Sequence, residues 1–280
     1  MRPFAEQTVL ITGSTDGLGR ALAVELARGG ARLLLHGRDA GRLRDTETEI
    51  RDHTGNADLG TYVADFSSLD DVRHLAQEVA RDHDRLDALV NNAGIGTNLP
   101  GDGSRLESRD GHELRFAVNY LAHFLLTRSL LPLVVWSAPA RVVNVSSAGQ
   151  APIDFDDVML ERDYNGIQAY CQSKLAQIMF TFDLAEELDA GTVTVNSLHP
   201  STYMPTKIVF AAGAQPASSV EDGVAATQRL VADPDLDGVT GRYFDRRREA
   251  RAHPQAYDPA ARLQLRELSE RLVQQPARRP

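Results

Sequence analysis

The chain has 280 residues, 42% of them hydrophobic and 25% charged, enough to bury a core within one large domain; its single cysteine, Cys171, excludes an intrachain disulfide. The formal net charge of -9 argues against a general nucleic-acid binder, and the one dense basic run, Arg246-Arg247-Arg248, reads as a solvated face. Residues 1–7 carry no apolar signal-peptide core. No run nears the roughly 18 consecutive apolar residues of a membrane span, so a cytoplasmic protein is expected.

In chain order, residues 8–12 read as a strand that runs into glycines, and 18–28 as a helix with Leu18, Leu22 and Leu26 on one stripe. A strand at 32–36 and a charged helix at about 39–52 follow. A strand at 59–64 ends at Asp65, and Ser67 or Ser68 caps a helix running to about 83. Then come a strand at 86–90, a long helix at about 111–135, a strand at 141–145 and a long helix at 167–188. Strands at 193–198 and 241–244 enclose a helix at 219–231. A helix at 260–273 closes the chain, and the tail 275–280 is expected to fray. Strands that alternate with helices in this way predict an α/β fold: a doubly wound parallel sheet of Rossmann type in a single domain spanning 1–280. Ligands on such sheets bind beyond the carboxyl ends of the strands.

The first such end is Thr12-Gly13-Ser14-Thr15-Asp16-Gly17-Leu18-Gly19. Glycines there let backbone approach a pyrophosphate, and the helix that starts in the loop offers free N–H groups. After the second strand stand His36-Gly37-Arg38-Asp39. An NAD-specific site places an acidic residue at the position of Gly37; here Arg38 can pair with a 2′-phosphate, while Asp39 caps the next helix. NADP(H) rather than NAD(H) is therefore expected. Exchanging Gly37 for Asp and Arg38 for Leu is expected to swing the preference.

Tyr170 and Lys174 share one helix face. With seven tyrosines and only two lysines, Lys174 and Lys207, a Tyr-x-x-x-Lys pair arises by chance about 0.05 times. A phenol of pKa about 10 becomes a usable acid or base near neutrality when a cation stands beside it. An arginine would not replace the compact ammonium.

Asn91-Asn92-Ala93-Gly94, Asn119 and Ser146-Ser147 complete a set that, with the glycine loop and Asp65, resembles the short-chain dehydrogenase/reductase family over about residues 5–245. The stretches 116–127 and 257–273 resemble its retinol dehydrogenase and WW-domain oxidoreductase branch. The resemblance implies Tyr170 as acid/base and Lys174 as its partner and holder of the nicotinamide ribose. It implies Ser147, the second serine of the pair, as holder of the substrate oxygen, and Asn119 as holder of a relay water. Asp65 and Phe66 would lie at the adenine, and Asn92, Ala93 and Gly94 on the adenosine ribose side. Pro200 and Thr202 would face the nicotinamide, although Ser201 stands where the family usually has glycine.

The expected substrate is a mostly apolar carbonyl or alcohol. Ile153, Phe155, Val158 and Met159, and a lid at about 201–218 bearing Tyr203, Met204, Ile208, Val209 and Phe210, would enclose it. Phe116, Tyr120 and Phe124 recur every fourth residue, as do Leu175, Met179 and Asp183. They lead us to expect a homodimer or homotetramer formed through the two long helices, with burial against the chain's own sheet as the alternative reading.

Overall fold

The computed structural model describes residues 2–98 and 103–274. The tail 275–280 lies outside the described residues. Eight strands form one sheet in the order β3-β2-β1-β4-β5-β6-β7-β8. These are β1 (Thr8–Ile11), β2 (Arg32–Gly37), β3 (Leu59–Val63), β4 (Ala88–Asn91), β5 (Ala140–Val145), β6 (Val193–His199), β7 (Arg242–Asp245) and β8 (Arg248–Ala250). All pair in parallel except β7 with β8. Strand order reverses between β1 and β4, which opens a crevice at their carboxyl ends.

Helices cover both faces: α1 (Gly17–Arg28), α2 (Ala40–Thr54), α3 (Leu69–Asp82), α4 (Leu114–Phe116), α5 (Ala122–Trp136), α6 (Gly166–Glu187), α7 (Lys207–Ala211), α8 (Val220–Ala232) and α9 (Pro259–Gln274). The central strands are apolar throughout because they are covered twice: Val9, Leu10, Ile11, Leu33, Leu34 and Leu35 have no exposed surface. Leu10 and Leu34 belong to the core under α3, α5 and α6, and Val9, Ile11, Leu33 and Leu35 to the core under α1 and α8.

Two features depart from the periodicity. The expected helix at 111–135 begins at Leu114 and widens into a π-turn over Ala117–Leu121 before α5 continues it. Strand β8 has no signature in the sequence, because Arg246 takes the left-handed turn position (φ 55°) without any glycine or asparagine to signal a hairpin. The arginines 246–248 are exposed, as a solvated run requires.

The segment Leu114–Trp136 is long and apolar enough to cross a membrane, with a hydropathy of 1.4, a property that a search for unbroken apolar runs overlooks; 67% of that window is buried in the fold. The aromatic stripe is internal. Phe116, Tyr120 and Phe124 are at most 2% exposed, and Tyr120 packs edge-on to Phe180 of α6. Helix α9 of the same chain lies over them: the Tyr120 hydroxyl is 2.7 Å from Ser269 Oγ, Arg266 reaches Asp183 and Glu187, and Leu265 is buried. The face on which self-association was expected is therefore closed by α9, and the recurrence of aromatics gives no argument for an oligomer.

Leu265→Asp should unseat this helix, since an unpaired carboxylate cannot remain buried there. The expected result is a higher apparent mass by light scattering and a lower Tm than the parent. A variant with unchanged mass and Tm would show that α9 is not what covers the stripe.

Candidate active site

Gly13 has φ +66° and Gly17 φ +50°, values that disfavour any side chain. A Cβ on Gly13 would lie 2.8 Å from Ala93 Cα, and one on Gly19 would lie 2.3 Å from Gly13 O. The loop is thus pressed against the segment after β4, and only glycine permits this. Asp16 caps α1 through the Gly17 N–H (2.8 Å). The N–H groups of Leu18 and Gly19 have no acceptor among the described residues, and they sit at the positive end of α1. This cradle fits a diphosphate.

Several residues expected at the cofactor have other work as well. The Ser14 hydroxyl donates to His36 O and is fully buried. Leu18 packs its side chain into the core, so only its backbone faces the crevice. Phe66 stacks on His36 (4.3 Å between centroids) and meets His123 edge-on, so its ring is not free to cover an adenine. The Asn92 carboxamide donates to Thr12 O and Gly13 O, which makes it a clasp on the loop. The Ala93 N–H donates to Thr12 Oγ1. Asp65 accepts from the Ser67 N–H and faces Arg109 at 3.4 Å. Thr15 lies beside Gly37, whose Cβ, if present, would come within 2.6 Å of Thr15 Cγ2.

Asp39 caps α2, accepting from the Arg42 N–H at 2.9 Å, which holds its carboxyl below the usual range. Arg38 is exposed and makes no hydrogen bond or ion pair among the described residues. Arg42 is engaged with Thr15 O and Asp16, and Lys207 of α7 reaches the same Asp16 carboxylate at 2.7 Å.

On the opposite side of the crevice, α6 presents Tyr170 and Lys174. The Lys174 Nζ is 5.9 Å from the Tyr170 ring centroid. Lys174 is buried, and burial pushes its ammonium down to about 7. Burial likewise pushes the half-buried Tyr170 phenol up, and a hydrogen bond with the Ser147 hydroxyl opposes that. The geometry separates the two serines. Ser146 Oγ donates to Lys174 O at 2.8 Å, so Ser147 is the one that faces Tyr170. Tyr243 of β7 fixes the Ser147 backbone by donating to its carbonyl.

Asn119 sits within the π-turn and is fully buried. Its Oδ1 accepts from the Ile95 N–H (2.8 Å), and its Nδ2 donates to Ile95 O and to Ser173 Oγ. Ser173 in turn donates to Tyr170 O. Asn119 is therefore a brace between the segment after β4 and α6. Gly94 leaves room for it, since a Cβ there would stand 3.2 Å from Asn119 Oδ1 and 3.6 Å from Lys174 Nζ.

In the loop after β6, Pro200 is buried, and the Thr202 hydroxyl lies 3.0 Å from His199 Nε2. The buried Ser201 hydroxyl has no partner among the described residues. Helix α7 lies over the crevice. Ile208 would meet a Cβ on Gly96 at 2.7 Å, and Asn98 donates to Ala211 O. Tyr203, Ile208 and Phe210 are exposed apolar groups on this segment, whereas Met204 packs on the core under α1 and α8. Ile153 and Val158 are core residues, and Phe155 and Met159 are half-buried against the same core.

Sequence reasoning missed Thr12, His36, His123, Gln177 and the buried pair Glu113–Arg115. Arg115 ties Gly96 O and Thr97 O to the Tyr164 hydroxyl. Each is a polar residue inside an apolar pattern, and spacing alone points to two of them: His123 lies one turn after Asn119, and Gln177 one turn after Lys174.

The short chain dehydrogenase family profile matches residues 7–216. Retinol dehydrogenase 14 of Mus musculus is 38% identical, with 95% of this chain and 86% of that protein aligned. Retinol dehydrogenase 13 of Homo sapiens is 35% identical over 95% of this chain and 84% of that one. A short chain dehydrogenase from Escherichia coli CFT073, solved in complex with NADPH, superposes with a TM-score of 0.69 at 28% identity, covering 86% of this chain and 96% of that one. The chain belongs to the short-chain dehydrogenase/reductase family, in its retinol dehydrogenase-like branch, and is an oxidoreductase of CH–OH and C=O groups.

Proposed function

We propose that the chain is an NADP(H)-dependent oxidoreductase of a bulky, mostly apolar alcohol or carbonyl compound. The observation that carries this reading is the convergence of Tyr170, Lys174 and Ser147 at a crevice whose other wall is a diphosphate cradle. The residues that would hold the cofactor are the backbone of Gly13, Thr15, Asp16, Gly17, Leu18 and Gly19, the Asp65 carboxylate and Phe66 backbone at the adenine, Gly94, Pro200 and Thr202, with Lys174 at the nicotinamide ribose. When bound, the nicotinamide supplies or takes the hydride. Tyr170 gives its proton to the carbonyl oxygen in reduction and takes one from the alcohol in oxidation. Ser147 holds that oxygen by its hydroxyl. Lys174 supplies the positive charge that makes the phenolate accessible. The Asn119 carbonyl, which accepts from His123 Nδ1 at 3.0 Å, has a second lone pair for a relay water.

The apolar substrate class rests on the exposed Tyr203, Ile208 and Phe210 of α7 and its approaches, and on the substrate in the relatives' names. We read residues 201–218 as a lid, latched to the phosphate loop by the Lys207–Asp16 pair. The fold reads as a cytoplasmic enzyme whose apolar Leu114–Trp136 segment is a core helix, two thirds of its window being buried.

NADP(H) preference rests on Arg38, a guanidinium without a carboxylate partner among the described residues, at the end of β2. Gly37→Asp would press on Thr15, so the substitution that tests it is Arg38→Leu alone. Without the charge-assisted, bidentate grip on the 2′-phosphate, kcat/KM for NADPH should fall by about 10- to 100-fold while that for NADH stays within about threefold. A parent enzyme that prefers NADH, or an R38L enzyme with unchanged preference, would contradict the assignment.

A further inference from the structure

Lys174 does not stand alone in its pocket. Its Nζ donates to Val145 O at 3.0 Å and to Gln177 Oε1 at 2.9 Å. Gln177 lies one helical turn further along α6 and is 1% exposed, so water does not substitute for it. The orientation of its amide is fixed by chemistry. An ammonium only donates, so the atom facing Lys174 is the oxygen; the Nε2 group then lies 3.3 Å from His123 Nδ1, a contact and not a hydrogen bond, because that nitrogen carries a proton. His123 is itself anchored: Nδ1 lies 3.0 Å from Asn119 O, and Nε2 lies 3.1 Å from Thr12 Oγ1. A carbonyl only accepts, so the ring proton is on Nδ1, and Nε2 accepts from the Thr12 hydroxyl. Thr12 Oγ1 receives the Asn92 and Ala93 N–H groups. A buried hydrogen-bonded chain therefore runs from Asn119 O through His123 to Thr12 and the loop that cradles the diphosphate, and Gln177 packs against it.

We propose that Gln177, whose amide oxygen accepts from the ammonium, is a positioning residue for Lys174. Together with Val145 O it occupies two of the three ammonium hydrogens, leaves one for ligand, and weights the Tyr170–Lys174 pair toward its ammonium–phenolate form against the burial that favours the amine. This rests on the reading of Tyr170 and Lys174 as the acid/base pair. The physical reason is the placement of charge. Once one proton has left, the pair is either phenolate with ammonium or phenol with amine, and only the first is a base for an alcohol. A carbonyl oxygen bonded to the ammonium favours the first, because the neutral amine of the second donates to it more weakly.

The surrounding titratable groups do not supply this bias. His123 of α5 and His36 of β2 are held neutral by burial, at about 3 and about 4. Cys171 beside Tyr170 is pushed up by burial. Tyr243 of β7 is also pushed up by burial, with Asp245 and Tyr257 adding to it.

The first readout needs no cofactor. Tyrosinate absorbance is titrated in the parent and in Gln177→Met, each with and without Tyr170→Phe, so that the difference isolates Tyr170. With the acceptor gone the ammonium is disfavoured further, and the Tyr170 phenolate should form about one pH unit higher. Oxidation of an alcohol should fall about tenfold in kcat, with KM within about twofold. A Tyr170 titration in Q177M that superimposes on the parent's would overturn the proposal. Should circular dichroism show that Q177M does not fold, Gln177→Asn, whose amide is withdrawn by one methylene, is expected to shift the phenolate the same way, and an unshifted titration there is equally decisive. Lys174→Met separates the two levels. If K174M leaves the Tyr170 titration in place, the acid/base pair itself is misassigned. If K174M moves it and Q177M does not, only the role of Gln177 falls.

Discussion

Tyr170→Phe should lower kcat by about three orders of magnitude, within the range that a positioned acid or base contributes, while the affinity for NADPH stays within about threefold. The substitution removes one oxygen. The ring stays in place, because α6 is anchored beside it by Asn119 through Ser173 and by Ser146 through Lys174 O. Neither the diphosphate cradle nor Arg38 contacts Tyr170, so binding has no reason to change. Fluorescence titration with NADPH and single-turnover measurement of hydride transfer check the two halves separately. A Y170F enzyme with near-parental kcat would remove Tyr170 from the chemistry.

Lys174→Met should move the pH dependence of alcohol oxidation upward. In the parent, burial brings the ammonium down to about 7, and the half-buried phenol nearby is pushed up. Such a pair loses its first proton as a unit, and the rate of oxidation rises with pH as that proton leaves. At about 6 Å and an effective dielectric of about 20, the cation is worth about 3 kcal/mol to the phenolate, or about two pH units. Without it, Tyr170 must ionise alone, above its ordinary value of about 10. The acid limb of kcat/KM should move up by about two units, with about a 100-fold loss near neutrality. An acid limb that stays where the parent has it would contradict the pairing. Lys174→Arg should be severely impaired as well, because the planar guanidinium does not fit the two acceptors, Val145 O and Gln177 Oε1.

The sequence was legible wherever one periodicity ruled an element. Strands covered on both faces, such as β1 and β2, read as unbroken apolar runs, and α1 and α3 as amphipathic stripes, so their bounds fell within a residue or two. The π-turn around Asn119 was not legible, because widening one helical turn changes backbone hydrogen bonds and not the apolar pattern. Tyr170, Lys174 and Ser147 could be picked out because spacing and order along the chain identify them. The brace behind them could not. Thr12, His123 and Gln177 act through contacts between residues up to 111 positions apart, and a buried histidine within an apolar helix reads as an ordinary core residue. The aromatic stripe of Phe116, Tyr120 and Phe124 was ambiguous for a related reason. Periodicity marks a face as buried and does not say whether α9 or another chain buries it.

The most direct test of the account is the consumption of reduced nicotinamide by the purified chain, with NADPH and NADH in parallel, against a long apolar aldehyde and a short hydrophilic ketone. The expected result is rapid oxidation of NADPH with the apolar aldehyde, a higher kcat/KM with NADPH than with NADH, and no turnover by Y170F protein that still binds NADPH. Folded protein that binds NADPH yet oxidises it with neither carbonyl compound, or that favours the hydrophilic ketone and NADH, would contradict it.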